Sequence, residues 1–263
     1  MVSGRQQIEI TVQEGKKVYF ASDQHLGAPN DKESLVREKR FVKWLDEIKT
    51  DCQVLFLLGD LFDFWYEYKQ VVPRGFVRVL GKLAELSDSG IKIYFFTGNH
   101  DLWMRDYLSK EIGMEVFRDR QVFLMNQKKF FIAHGDGLGP DDKAYKRMKK
   151  LFTNKLAQFM FSTFLHPDFA VKLGIHMSRK NKLISGDEDV KFLGEDKEWL
   201  AQYAKRKLET EHFDYFIFGH RHMPLEIPVG ENSLYMNLGD WVNYFTYGVF
   251  DGKELKLERN IAQ

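Results

Sequence analysis

The sequence holds a single cysteine, Cys52, in 263 residues. An internal disulfide is therefore excluded, which suits a reducing compartment. Cys52 opens the apolar run CQVLFLLG, where a free thiol more often serves as a small core residue than as a nucleophile. Long hydrophobic stretches are also missing. No run approaches the roughly 18 apolar residues that span a bilayer, and the opening segment MVSGRQQIEITVQEGKK lacks the apolar core of a secretory signal. The expectation is a chain without an integral membrane segment. Charge bias is absent too, with 39 Lys and Arg against 38 Asp and Glu, so overall charge names no partner. No internal repeat or low-complexity linker divides the chain, and its length fits one large domain, or one domain carrying an insertion.

What is present is apolar and aromatic: 23 Phe, 11 Tyr and 5 Trp can supply a large core. Five short β-prone runs each end in a small residue followed by polar chemistry. They are VYFAS before Asp23, VLFLLG before Asp60, IYFFTG before Asn99, FFIA before His134 and YFIFG before His220. Runs of this length and composition read as buried strands. Between the first three, Phe41, Trp44, Leu45 and Ile48, then Phe76, Val79, Leu80, Leu83 and Leu86, recur at helical spacing. The first half therefore reads as β-α-β-α-β, with polar ligands expected at the carboxyl ends of the strands.

After His134 the texture changes. From Lys143 to Lys182 there are ten Lys or Arg and one acidic residue, Asp168, interleaved with Met148, Phe152, Phe159, Met160, Phe164 and other apolar positions. The pattern suits amphipathic or partly buried helices, and residues 140–211 read as a helical insertion, or lid, within a single domain of residues 1–263. Lys197–Glu211 reads as a further helix leading to the His220 strand. The C-terminal SLYMNLGDWVNYFTYGVFDGKELKLER, with its Asp-Gly turn, reads as antiparallel hairpins.

The strand ends offer Asp23 and His25, Asp60 and Asp63, Asn99 and His100, His134, then His220 and His222. Carboxylate, amide oxygen and imidazole are the donors that hard or borderline divalent ions take. Asp and Asn at any one strand end could equally cap a turn, but five such clusters in series point to a metal centre. The ordered set Asp23-x-His25, Gly59-Asp60-x-x-Asp63, Gly98-Asn99-His100-Asp101, His134-Gly135 and Gly219-His220-x-His222 resembles the calcineurin-like metallophosphoesterases. That resemblance, and not the periodicity, implies an α+β or α/β architecture: a two-sheet β-sandwich flanked by helices. It further implies two divalent metal ions, one on Asp23, His25, Asp60 and His222 and the other on Asp60, Asn99, His134 and His220, with Asp60 bridging. Manganese is the ion the resemblance favours, while iron, zinc and magnesium also suit the donors. The implied reaction is hydrolysis of a phosphate ester or anhydride. His100 would act at the phosphate or the leaving group, oriented by Asp63; the alternative for Asp63 is a turn cap.

Within that family, SDQHLG, GDLFDFW, HGDGLGPDD, GHRHMP and LGDW look like the motif variants of the lipid A branch, which hydrolyses the pyrophosphate of a lipid-linked nucleotide sugar, UDP-2,3-diacylglucosamine. One residue departs: that branch commonly has arginine after the metal-binding asparagine, where this chain has His100. By the same resemblance Asn99, His100, Ser178, Arg179, Lys180 and Asn181 are substrate-binding candidates. Two readings of the insertion stay open, a lid resting on anionic lipid headgroups with acyl chains sheltered beneath, or a solvated basic face over an ordinary core. The first implies a cytoplasmic protein, peripheral on the inner face of the inner membrane, with no protein partner evident. A nuclease of the same family would use the same metal centre, but the Phe- and Met-rich insertion argues against nucleic acid. A non-catalytic scaffold would have lost ligands, and none is missing.

Overall fold

The computed structural model describes residues 7–139, 143–185 and 192–261. Period-two burial organises its centre. In β2 (Lys17–Ala21), β3 (Cys52–Leu57) and β4 (Lys92–Phe96), Val18, Phe20, Val54, Phe56, Tyr94 and Phe96 join one buried cluster, whereas Tyr19, Ala21, Leu55, Leu57, Ile93 and Phe95 join another. Both faces of the sheet are covered, which is why these strands read as unbroken apolar runs in place of an alternating pattern. The second cluster is closed by α1 (Asp31–Ile48), through Phe41, Trp44 and Leu45, and by α2 (Val77–Asp88), through Val79, Leu83 and Leu86. Cys52 sits in this core, where burial pushes its thiol up to about 12, so it is an inert core residue.

With β5 (Glu115–Phe117), β11 (Thr246–Phe250) and β12 (Leu255–Arg259), these strands form a six-stranded sheet in the order β12-β11-β2-β3-β4-β5, parallel from β2 to β5. A second sheet, β1-β6-β7-β8-β10-β9, faces it. Its strands are β1 (Ile8–Ile10), β6 (Gln121–Met125), β7 (Lys128–Ile132), β8 (Tyr215–Phe218), β9 (Pro224–Gly230) and β10 (Ser233–Leu238). Phe123, Phe130, Ile132, Ile217 and Met236 meet Phe20, Phe56 and Phe96 between the sheets. The outer face of the second sheet is covered by α7 (Trp199–Leu208), whose Leu200, Ala201 and Ala204 pack on Phe131, Phe216, Phe218 and Tyr235. The result is the expected two-sheet sandwich flanked by helices. Within the C-terminal segment from Ser233, β11 and β12 form an antiparallel pair as read, whereas β10 pairs with the preceding β9 in the other sheet.

A short helix, α3 (Tyr107–Glu111), precedes β5. Between β7 and α7 run α4 (Lys143–Phe152), α5 (Lys155–Phe164) and α6 (Pro167–Ser185). Asn154 caps α5 by accepting from the Leu156 and Ala157 amides. No residue of α5 is buried, and Leu156, Phe159, Met160 and Phe164 are all exposed. The insertion is tied to the body by Phe161 against Tyr66 and Trp103, and by hydrogen bonds from Trp103 to the Phe152 carbonyl and from Tyr66 to the Gln158 carbonyl. α7, although inside the expected insertion range, belongs to the packing of the second sheet.

Candidate metal centre

The loops leaving β2, β3 and β8 turn sharply by placing non-glycine residues in the left-handed region. Asp23, His25, Asp60, His220 and His222 have φ of 58, 44, 53, 69 and 53°. Such a conformation costs roughly 1–2 kcal/mol per residue and persists only where surroundings enforce it. Here the loops lock one another. The Asp23 amide donates to the Gly59 carbonyl, His25 to the Asp60 carbonyl, Gly219 to the His134 carbonyl, and Trp241 to the Asp23 carbonyl. The glycines of the motifs serve this close approach. A Cβ on Gly59 would lie 2.7 Å from both the Gly98 nitrogen and His134 Nδ1, and one on Gly98 would collide with the Asp60 carboxylate.

The consequence is a gathering of seven donors from five strand ends. Asp23, His25 and His222 bring ligand atoms within 4.8 Å of one another, and so do Asp60, His134 and His220. The Nε2 atoms of His25 and His222 are 3.2 Å apart, and Asp23 Oδ1 lies 3.5 Å from His222 Nε2. In the second group, Asn99 Oδ1 sits 3.2 Å from His134 Nε2 and 3.0 Å from His220 Nδ1. Asp60 Oδ2 stands between the groups, 3.7 Å from His25 Nε2 and 3.4 Å from His134 Nε2. His100 is at the rim, with Nε2 4.0 Å from the same oxygen.

These residues fit divalent ions. Asp23 Oδ1 is buried and takes part in no hydrogen bond, an arrangement that is costly unless a cation faces it. Burial works to raise the Asp60 carboxyl, but the imidazoles of His134, His100 and His25 outweigh it and hold the group ionised well below the usual range. Burial, reinforced by His134, lowers His220 to about 4, so its imidazole is neutral at pH 7, the form that ligates metal. The outer contacts follow the pattern that orients such ligands: His134 Nδ1 is 2.6 Å from the Leu58 carbonyl, and His222 Nδ1 is 3.4 Å from Asp240. Asp101 accepts from the Gly98 and Leu61 amides. Burial and the Asp60 charge push its carboxyl up to about 7.

Asp63 differs from expectation in its nearest neighbour. Its Oδ1 is 3.3 Å from His25 Nδ1 but 3.8 Å from His100 Nδ1, and it reaches His100 through its main-chain carbonyl at 3.0 Å. Ser178 is buried between His100 and Asp63. The side chains of Arg179, Lys180 and Asn181 lie outside the described residues. Lys149 is paired with Asp136 at 2.5 Å, and Lys146 donates to the Gly139 carbonyl.

Two features escaped the sequence reading. Arg37 on α1 is buried and donates to the carbonyls of Gln24, His25 and Ala28, clamping the first ligand loop. The signal was available: Ser34, Arg37, Phe41, Trp44 and Ile48 share the buried face of α1, so a guanidinium falls in an apolar stripe. Arg118 and Arg120 line a cleft with Thr97, His134, Asp136 and Lys149. They follow β5 at its carboxyl end, the same place as the ligands, but the strand is only three residues long and was not read as one.

A sequence model described as calcineurin-like phosphoesterase matches residues 16–224. UDP-2,3-diacylglucosamine hydrolase of Porphyromonas gingivalis is 39% identical over 256 residues, covering 92% of this chain and 97% of that protein. The enzyme of the same name from Haemophilus influenzae is 28% identical, covering 86% and 91%. Among solved structures, vacuolar protein sorting 29 of Entamoeba histolytica, complexed with zinc, aligns over 92% of this chain and 89% of that one, with 14% identity and a TM-score of 0.42. The family match spans most of the chain, and the P. gingivalis relative covers nearly all of it: the chain belongs to the calcineurin-like phosphoesterases and is a metal-dependent hydrolase.

Proposed function

We propose that the chain hydrolyses the pyrophosphate of UDP-2,3-diacylglucosamine, giving UMP and 2,3-diacylglucosamine 1-phosphate in lipid A biosynthesis. The observation that carries this is the 39% identity, along almost the whole of both chains, to a hydrolase named for that substrate. One ion is assigned to Asp23, His25, Asp60 and His222 and the other to Asp60, Asn99, His134 and His220. The bridging role is supported by the 3.4 and 3.7 Å approaches of Asp60 Oδ2 to an imidazole of each group. Manganese is the favoured metal. Two such ions supply a nucleophile from water and neutralise charge on phosphoryl oxygens.

The protein's own groups do the rest. His100 offers Nε2 toward the phosphate at the rim, where the imidazolium form, a donor at both ring nitrogens, stabilises charge developing on a phosphoryl oxygen. Its leaving group, a sugar 1-phosphate, has a low pKa and needs little protonation, so charge stabilisation is the larger task. The inserted helices α4, α5 and α6 are assigned as the lid of the single domain. Its exposed Leu156, Phe159, Met160, Phe164 and Phe169 suit acyl chains or the membrane that holds them, and the exposed Arg147 and Lys150 suit anionic headgroups. Arg179, Lys180 and Asn181 are assigned to substrate binding with Asn99 and His100, whereas Ser178 is buried against His100 and Asp63. The protein is assigned to the cytoplasmic face of the inner membrane, held peripherally; among the described residues no helix is long and apolar enough to cross a membrane.

Hydrolysis of UDP-2,3-diacylglucosamine in ¹⁸O-labelled water tests the reading. Label is expected in UMP, because attack falls on the phosphorus bonded to uridine. Label in the lipid phosphate would reverse the assigned geometry. No turnover of this lipid beside rapid turnover of nucleotides or oligonucleotides would move the chain to another branch of the family.

A further inference from the structure

His100 is the residue by which this chain departs from the lipid A branch, and its ring is held in part by a residue of the insertion. Ser178 Oγ lies 2.8 Å from His100 Nδ1 and 3.1 Å from Asp63 Oδ2. The Asp63 carbonyl oxygen is also 3.0 Å from Nδ1. A carbonyl can only accept, so Nδ1 carries a proton. Ser178 then accepts from Nδ1–H and donates its own hydroxyl hydrogen bond to the Asp63 carboxylate. This chain of bonds leaves Nε2 as the atom directed at Asp60 and the metal groups.

Ser178 arrives on α6, in the insertion, and the rest of that helix face explains how. Ala170, Gly174 and Ser178 recur every four residues on one face of α6. Ala170 and Ser178 are buried, and a Cβ on Gly174 would run into the ring of Phe64. The absence of a side chain at Gly174 therefore sets how closely α6 approaches the loop between Phe62 and Trp65, and one turn later that approach delivers the Ser178 hydroxyl. Within a membrane-facing insertion of exposed apolar and basic residues, this is the face turned to the chemistry.

We infer that Ser178 is a positioning residue for His100, so that the catalytic centre is complete only while α6 lies against the Phe64 loop. The inference rests on the proposed role of His100 at the phosphate. It assigns to the insertion a part in turnover as well as in holding substrate. Outer partners that orient a reacting group are worth about 10–100-fold.

The test uses full-length, metal-loaded protein and UDP-2,3-diacylglucosamine under single-turnover and steady-state conditions, which separate binding from chemistry. Ser178→Ala is expected to lower kcat at least about tenfold, with KM and metal content unchanged, and Ser178→Thr to restore most of the loss. Gly174→Ala, which pushes α6 off Phe64, is expected to reproduce the kcat defect. In a His100→Ala background, Ser178→Ala is expected to add nothing. A Ser178→Ala loss confined to KM would make Ser178 a substrate contact and overturn the inference, as would additive losses in the double variant or wild-type kcat in Gly174→Ala. A crippled His100→Ala beside an unaffected Ser178→Ala overturns the inference alone, whereas an unaffected His100→Ala removes the reading of His100 and the inference with it. If the wild-type protein leaves this lipid intact, the proposed substrate falls, and the same variants are read on whichever phosphoester it does hydrolyse.

Discussion

The sandwich and the inserted helices use the same residue types in opposite ways. Phe20, Phe56, Phe123 and Phe130 are fully buried between the sheets, whereas Phe159 and Phe164 of α5 are 61% and 75% exposed. Charge differs as well. In the sandwich, ionisable groups are buried with partners, such as Arg221 with Glu198. In the insertion, Lys146, Arg147 and Lys150 face outward. The contrast teaches that stability and the candidate metal ligands reside in the two sheets, whose dense packing enforces left-handed conformations at five of those ligands. In the insertion, α5 has no buried residue and leaves Leu156, Phe159, Met160 and Phe164 exposed.

The largest expected effect lies at the junction of the two metal groups. Asp60→Asn keeps the shape but removes the charge shared by both groups, and the chain is expected to lose more than about 100-fold in turnover, beyond the loss of an outer partner, together with bound metal. Elemental analysis beside a hydrolysis assay checks this; two ions retained per chain with near wild-type turnover would remove the bridging assignment.

Next in size is a paired substitution that puts the comparison itself at risk. Phe56→Ala in the inter-sheet core is expected to cost about 3–5 kcal/mol of unfolding free energy. Phe159→Ser on α5 should change it by less than about 0.5 kcal/mol. Urea unfolding followed by tryptophan fluorescence reads both. Equal losses would mean that α5 packs as part of the core.

The smallest effect concerns the basic side of the insertion. Replacing Arg147 and Lys150 with Gln should weaken sedimentation with anionic vesicles by about 1 kcal/mol per charge, with kcat on detergent-dispersed substrate unchanged. Lys149 is left in place because it is engaged with Asp136. Added salt should weaken wild-type binding through screening; binding that is equal on neutral and anionic vesicles and insensitive to salt would end the electrostatic part of the membrane proposal.

The sequence by itself determined the sheet core and the donor set. Strand runs such as VLFLLG and YFIFG must be buried on both faces, and the residues that follow them must then stand at strand ends. The family pattern supplied the second sheet, which periodicity could not, because parallel strands buried on both faces look alike in one sheet or two. Partner contacts were decided only in three dimensions. Asp63 and His100 are linked by a serine that lies 115 residues from Asp63 along the chain, and Arg37 on the buried face of α1 clamps the loop that carries His25. Nor does composition tell whether Phe159 is covered: Phe131 in β7 and Phe159 in α5 are the same residue type, and only the docking of α7 on one, with nothing among the described residues over the other, separates core from open surface. Short-range spacing encodes which face a residue takes, but which surface meets that face depends on contacts between distant segments, and these exist only once the chain has folded.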